Sequence, residues 1–256
     1  MRFYVLKKRT IYFVFAILIS CVLLSLNFSS DGSALASVYF LKSNKKVPIY
    51  CVENSGQEIA LTFDAAWGSD KTEKILEILR KNDITATFFL VGFWVDKNED
   101  LVRSIDAQGL EIGTHSNTHP DMAKLSKEQT TLELSVSKDK IEAITNKPVK
   151  VFRAPFGSYN NTLIEVASGM GLKTIQWDVD SLDWRGISGD QICKNILTKV
   201  KSGSIILCHN NSDHIVDALP SLILTLKSRG YKFLTVSSLV LEDNYSIDAT
   251  GKQKKI

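Results

Sequence analysis

Between residues 59 and 241 short apolar runs alternate with segments of helical periodicity, and no other feature of the chain restricts its fold as tightly. Strands are expected at 59–63, 86–91, 110–114, 149–152, 173–179, 204–207 and 231–236. Helices are expected at 70–81, 99–108, 126–145, 160–170, 188–201 and 213–228, with a short one at 237–241. The signals are local ones. Ile75, Leu76, Ile78 and Leu79 form an apolar stripe behind a cap at Ser69 or Asp70, Gly109 stops the second helix, and Ser126 opens the third. Strands separated in this way pair in parallel through right-handed crossovers. The fold class is therefore α/β, with about seven parallel strands closed or nearly closed into a barrel. Residues 47–52 read as an edge strand, because Pro48 cannot donate to a ladder.

Four cationic residues, Arg2, Lys7, Lys8 and Arg9, precede an uncharged and mostly apolar stretch at 11–28. Its length suits an N-terminal hydrophobic helix that spans a membrane with its basic flank inside, which exports the remainder. Ala34-Leu35-Ala36 also offers a cleavage site, so a signal peptide removed after Ala36 stands as the alternative to a membrane anchor. The expected organisation is a leader at 1–36, a connector and edge strand at 37–58, the barrel domain at 59–241 and a loose polar tail at 242–256. Without the leader the chain carries as many basic as acidic residues, which leaves no electrostatic case for nucleic-acid binding. Cys21 lies in the leader, and Cys51, Cys193 and Cys208 read as small buried hydrophobes rather than a disulfide set. Adjacent strand residues face opposite ways, so Cys208 is expected to face away from the side that His209 serves.

The apolar runs end in polar groups at the strands' carboxyl ends, where parallel α/β folds build their sites. These are Asp64, the pair His115 and His119, Arg153, Asp183 and His209. Alone, Asp64 reads better as a helix cap, and an isolated pair of histidines better as surface or capping residues. The spacing of His115 and His119 brings two imidazoles to one ion if the stretch turns helically, and because Pro120 would stop a helix that turn must be tight.

Five motifs in order turn these readings into a resemblance. They are Thr62-Phe63-Asp64, His115-Ser116-Asn117-Thr118-His119-Pro120, Arg153-Ala154-Pro155-Phe156-Gly157, Asp180-Ser181-Leu182-Asp183-Trp184 and Leu207-Cys208-His209. Together they resemble the polysaccharide deacetylase family, carbohydrate esterase family 4 with its NodB-type homology domain. Ala65-Ala66-Trp67-Gly68 and Ile49-Tyr50-Cys51-Val52 look like its sporulation-associated PdaB subgroup. The resemblance implies a distorted TIM-like barrel and hydrolysis of N-acetyl groups on peptidoglycan or a related glycan. It implies Asp64 as base, Arg153 as its partner, His209 as acid and Asp183 as the group that orients that imidazole. His115 and His119 would hold a divalent metal, zinc foremost, with cobalt, nickel or manganese as alternatives. The Phe156 N–H would stabilise the oxyanion, and Trp184 and Leu207 would wall the acetyl pocket, although core packing explains those two side chains as well. One position departs from the family pattern: a second Asp is replaced by Ala65, a methyl that cannot ligate a metal. Weak metal binding is expected in consequence, and a non-catalytic glycan-binding or structural wall protein on the same fold is the rival reading.

Overall fold

The computed structural model describes residues 45–53 and 56–256. Strand β1 (Cys51–Val52) is followed by β2 (Glu58–Ala65), in which every residue after Glu58 is buried. Such an apolar run fits a strand covered on both faces. Then come β3 (Thr87–Leu90), β4 (Glu111–Thr114), β5 (Val151–Phe152), β6 (Lys173–Thr174), β7 (Val179–Asp180), β8 (Ile205–His209) and β9 (Lys232–Leu234). The sheet runs β6-β5-β4-β3-β2-β8-β7, and β9 pairs with the first part of β2. Every pairing within it is parallel.

This sheet curls into an incompletely closed barrel, and its two edges are pieces of one stretch. The single strand expected at 173–179 divides because it changes partners. Lys173 and Thr174 pair with β5, whereas Val179 and Asp180 pair with β8. Between them the Ile175 region bridges to Ile49, and the Asp178 carboxylate accepts from the Ile205 N–H and the Ser204 hydroxyl, both at 3.0 Å. The expected edge strand thus fills the seam: Ile49 meets Ile175, and Cys51 meets Ser204.

Eight helices are described: α1 (Thr72–Lys81), α2 (Gly92–Lys97), α3 (Glu99–Ala107), α4 (Lys127–Thr145), α5 (Asn161–Gly169), α6 (Gly189–Leu197), α7 (Ile215–Ser228) and α8 (Val236–Leu239). Capping boxes start α4, through Ser126 and Gln129, and α6, through Ser188 and Gln191. Neither Ser69 nor Asp70 caps α1 with its side chain. Lys71 occupies the cap, the Ser69 carbonyl takes the Thr72 N–H, and the Asp70 carboxylate bonds Lys71 instead. Helix α2 was not expected; its six residues are too few to show a helical period.

The loose tail expected at 242–256 is a hairpin of β10 (Tyr245–Ile247) and β11 (Lys252–Lys255), with β11 pairing in parallel to β1. The Asp248 carboxylate accepts from the N–H groups of Thr250 and Lys252, and Gly251 supplies the left-handed turn at φ +81°. Gln253 is fully buried, and its amide bonds both the N–H and the carbonyl of Leu241. A polar composition concealed an element whose side chains find partners. The hydrophobic helix expected at 11–28 lies outside the described residues; among the described residues no helix is long and apolar enough to cross a membrane.

Candidate active site

Strands β2 and β8 run side by side in register, and Asp64 is paired directly with His209 at their carboxyl ends. Both line a cavity of about 800 Å³, together with His115, His119, Phe156, Asp183, Trp184 and Leu207. All the expected site residues except Arg153 therefore border one space. Arg153 lies beneath it, fully buried.

Arg153 holds the floor of the site. Its Nη1 donates to Asp64 Oδ1 at 2.8 Å and to Thr62 Oγ1 at 2.7 Å, and its Nη2 donates to the Gln176 carbonyl at 3.1 Å. The guanidinium lies 4.2 Å from the centre of the Phe89 ring. Thr62 in turn donates to the Ile206 carbonyl at 2.6 Å, which ties the arginine to β8. Burial alone would raise the Asp64 pKa, but the charge of Arg153, with the pull of His209 and the Arg153 hydrogen bond beside it, outweighs burial, so the carboxyl lies below its ordinary range. Asp64 is anionic at neutral pH.

On the other wall His209 Nδ1 lies 2.7 Å from Asp183 Oδ1, and Asp183 Oδ2 accepts the His209 backbone N–H at 2.8 Å. A carboxylate only accepts, so Nδ1 carries the proton and Nε2 is left to serve the cavity. Burial would lower the imidazole pKa, but the hydrogen bond and charge of Asp183, joined by Asp64, raise it above its ordinary value. The anionic neighbour thus favours the cationic form of His209.

His115 and His119 do not lie on a helical turn. Ser116 and His119 adopt left-handed backbone angles, φ +71° and +60°, and the Ser116 hydroxyl accepts the His119 N–H at 3.0 Å. Glu133 of α4 clamps the bend by accepting from the N–H groups of Asn117 and Thr118 at 2.8 Å each and from the Thr118 hydroxyl at 2.6 Å. Phe156 (φ +59°) and Leu182 (φ +58°) are left-handed as well, so backbone strain gathers around this cavity. The bend brings the two imidazole centres to 5.0 Å.

His115 Nδ1 donates to the Arg153 carbonyl at 2.8 Å, which turns Nε2 toward Asp64 Oδ2, 3.6 Å away. Burial lowers the pKa of His115, and burial followed by the charge of His115 lowers that of His119 to about 4. Both rings are thus neutral at neutral pH, the state in which imidazole ligates metals. His119 Nδ1 is buried without a hydrogen-bond partner. Two unprotonated acceptors face each other between His115 and Asp64, an arrangement that suits a cation. Yet no group of three His, Cys, Asp or Glu residues able to hold a metal comes together among the described residues. Ala65 is fully buried within the apolar core. The donor set fits two positions of a divalent ion's shell and lacks a third.

Cys208 is fully buried opposite His209, and burial pushes its thiol well up, which leaves it inert. The residues that sequence reasoning did not assign are the supporting ones. Thr62 stood inside a motif without a role, whereas nothing in α4 distinguishes Glu133 from other surface carboxylates.

The polysaccharide deacetylase model matches residues 52–175. A Bacillus cereus peptidoglycan-N-acetylglucosamine deacetylase is 33% identical over 194 residues, 74% of this chain and 91% of that protein. The uncharacterized protein YlxY of Bacillus subtilis is 35% identical over 202 residues, 79% of this chain but 63% of its own length. Among solved structures, the CE4 family pseudoenzyme BA3943 of Bacillus anthracis matches with a TM-score of 0.74 at 34% identity, over 82% of this chain and 70% of that one. A mutant of BA3943 described as having restored enzymatic activity matches equally, with a TM-score of 0.74. Relatives of this fold thus include both named deacetylases and a pseudoenzyme. Identity of about a third across nine-tenths of a named deacetylase, on a barrel of the same shape, makes the chain a member of the polysaccharide deacetylase family.

Proposed function

We propose that the protein hydrolyses N-acetyl groups of peptidoglycan amino sugars by acid–base catalysis between β2 and β8. The observation that carries this reading is the register pairing of Asp64 with His209, each held in its working charge state by a buried partner. Asp64 takes a proton from the attacking water as oxygen bonds to the acetyl carbon. The Phe156 N–H meets the oxyanion, and Leu207 and Trp184 enclose the methyl group. His209 Nε2 then gives its proton to the amine nitrogen as the C–N bond breaks, releasing acetate and the free amino sugar. His115 and His119 would hold a divalent ion, zinc by our reading, which supplies an acidified water and a polarised carbonyl when bound.

A second reading, a non-catalytic glycan-binding wall protein, is favoured by Ala65, since a third ligand is missing where catalytic metal sites have three. Retention of both ion pairs speaks for the enzyme, because a binding module gains nothing from a buried acid and base. Export with a membrane anchor at 11–28, and service in sporulation, belong to the same proposal. They rest on the basic and apolar leader and on the Ala65–Gly68 motif.

Two measurements test the chemistry. The rate of acetate release should fall as pH rises through the raised pKa of His209, where the acid loses its proton. Asp183→Asn removes the anion that raises that pKa, so the falling limb should move to lower pH; an unmoved limb would show that another group is the acid. In zinc titrations by calorimetry, His115→Ala and His119→Ala should abolish stoichiometric binding, whereas Ala65→Asp should tighten it about 10-fold or more. Added zinc should then raise the melting temperature of Ala65→Asp beyond that of the parent, since a ligand stabilises the state that binds it. Equal zinc affinity in Ala65→Asp and the parent would mean that the site is completed some other way.

A further inference from the structure

Six large apolar side chains remain more than half exposed among the described residues, and three of them, Trp67, Phe156 and Trp184, border the one cavity that holds Asp64 and His209. An exposed indole on a mobile loop would mean little. Trp67, 57% exposed, is fixed from below. The carbonyl of the next residue, Gly68, accepts from Trp94 Nε1 at 2.7 Å and from Asn210 Nδ2 at 3.0 Å, and both donor residues are buried. Gly68 makes the turn at φ +66°, and a Cβ there would press on the Asn211 side chain at 3.2 Å. The indole itself stands edge-to-face with His119, centroids 4.7 Å apart, and tilted against Phe93 at 6.1 Å.

A large apolar face held rigid and open to solvent gains free energy when a ligand covers it, and little ordering entropy opposes the gain. The polar groups beside it say which ligand. Asn211 and Asp213 line the same cavity and offer it polar groups, Asn211 beside the Gly68 turn that carries the ring. A pyranose has C–H groups across its faces and hydroxyls around its edge, and this surface meets both. The place of the ring follows from the strand order. Trp67 follows β2 and rests on residues that follow β3 and β4, whereas Leu207 and Trp184 lie on the β7–β8 side. Asp64 and His209 stand between the two sides.

We propose that Trp67 is a specificity-determining residue whose indole stacks on the pyranose ring next to the one that loses its acetyl group, so that oligomers are selected over the monosaccharide. The inference rests on the glycan reading of the cavity but not on turnover, since stacking occurs in a binder and in an enzyme alike. Calorimetric titration with N-acetylglucosamine and with its β-1,4-linked tetramer tests it on the parent, Trp67→Ala and Trp67→Phe, with melting temperatures recorded for each. Trp67→Ala should weaken the tetramer about 10-fold, as loss of one well-placed aromatic contact does, leave the monomer unchanged and melt with the parent. Trp67→Phe should restore most of the tetramer affinity. Undiminished tetramer binding by Trp67→Ala would overturn the platform. Equal loss of monomer and tetramer, with a lowered melting temperature, would overturn it too, by showing that the ring only supports its neighbours. A parent that binds neither sugar would instead refute the glycan reading beneath it.

Discussion

Replacing Arg153 with Met is expected to lower the stability of the protein by about 3–5 kcal/mol, the usual cost of stranding one partner of a buried ion pair. The arginine is fully buried, and Asp64 is 6% exposed. Met fills much of the same volume, so the cost comes from charge rather than from a cavity. Once the guanidinium is gone, the imidazoles alone oppose burial at Asp64, and its pKa is expected to rise above that of the unfolded chain. The sign of the pH dependence follows. A carboxyl with a raised folded pKa costs stability wherever it would otherwise be ionised, so the penalty should be largest at neutral pH and shrink as pH falls and Asp64 protonates. In the parent the same carboxyl is depressed and contributes stability above its unfolded pKa, which is lost as pH falls through the folded value. Urea unfolding of parent and variant at neutral and mildly acidic pH separates the two cases. A difference below about 1 kcal/mol at neutral pH would show that the pair is far better solvated than its geometry indicates.

Asp64→Asn is expected to cut acetate release by about 10²–10⁴-fold, the worth of one positioned base. The amide keeps an oxygen for Arg153 to bond, and Thr62 and the Gln176 carbonyl continue to hold the guanidinium, so the floor of the site keeps its shape. Only the proton acceptor is lost. Glycan affinity should change little, because the base acts chiefly as the transition state forms. The variant also resolves the question that Ala65 raises. Asp64 Oδ2 faces His115 Nε2 at 3.6 Å, close enough for this carboxylate to have taken over as the third ligand. If it has, zinc will leave with the activity; if zinc stays, Asp64 is the free base.

The frame of the molecule was legible in the sequence because its signals are local. Alternating apolar runs gave the parallel sheet, and the cap residues Ser126 and Ser188 placed the starts of α4 and α6. The motif residues were legible too, since strand ends in a parallel sheet gather at one rim. Less visible was whatever depends on distant partners. The stretch 173–179 reads as one strand in sequence, and only the exchange of β5 for β8 divides it. Residues 242–256 are polar, yet Gln253 finds both its partners on Leu241. The helical turn expected for His115 and His119 is instead a strained bend, whose clamp, Glu133 of α4, lies 14 residues beyond His119 in sequence. Trp67 carries no pattern of its own; its exposure beside the cavity appears only when the strands are assembled.

This family member is expected to act as a hydrolase although Ala65 stands where a metal-binding Asp is usual. The most direct measurement is acetate released from N-acetylated peptidoglycan, with zinc supplied, by the parent and by Asp64→Asn under the same conditions. Release by the parent that continues over many turnovers, and stands about 10²-fold or more above the variant, is the predicted result. Release by the parent no faster than by Asp64→Asn, with the glycan still bound, would contradict the account and leave a binding protein on a deacetylase fold.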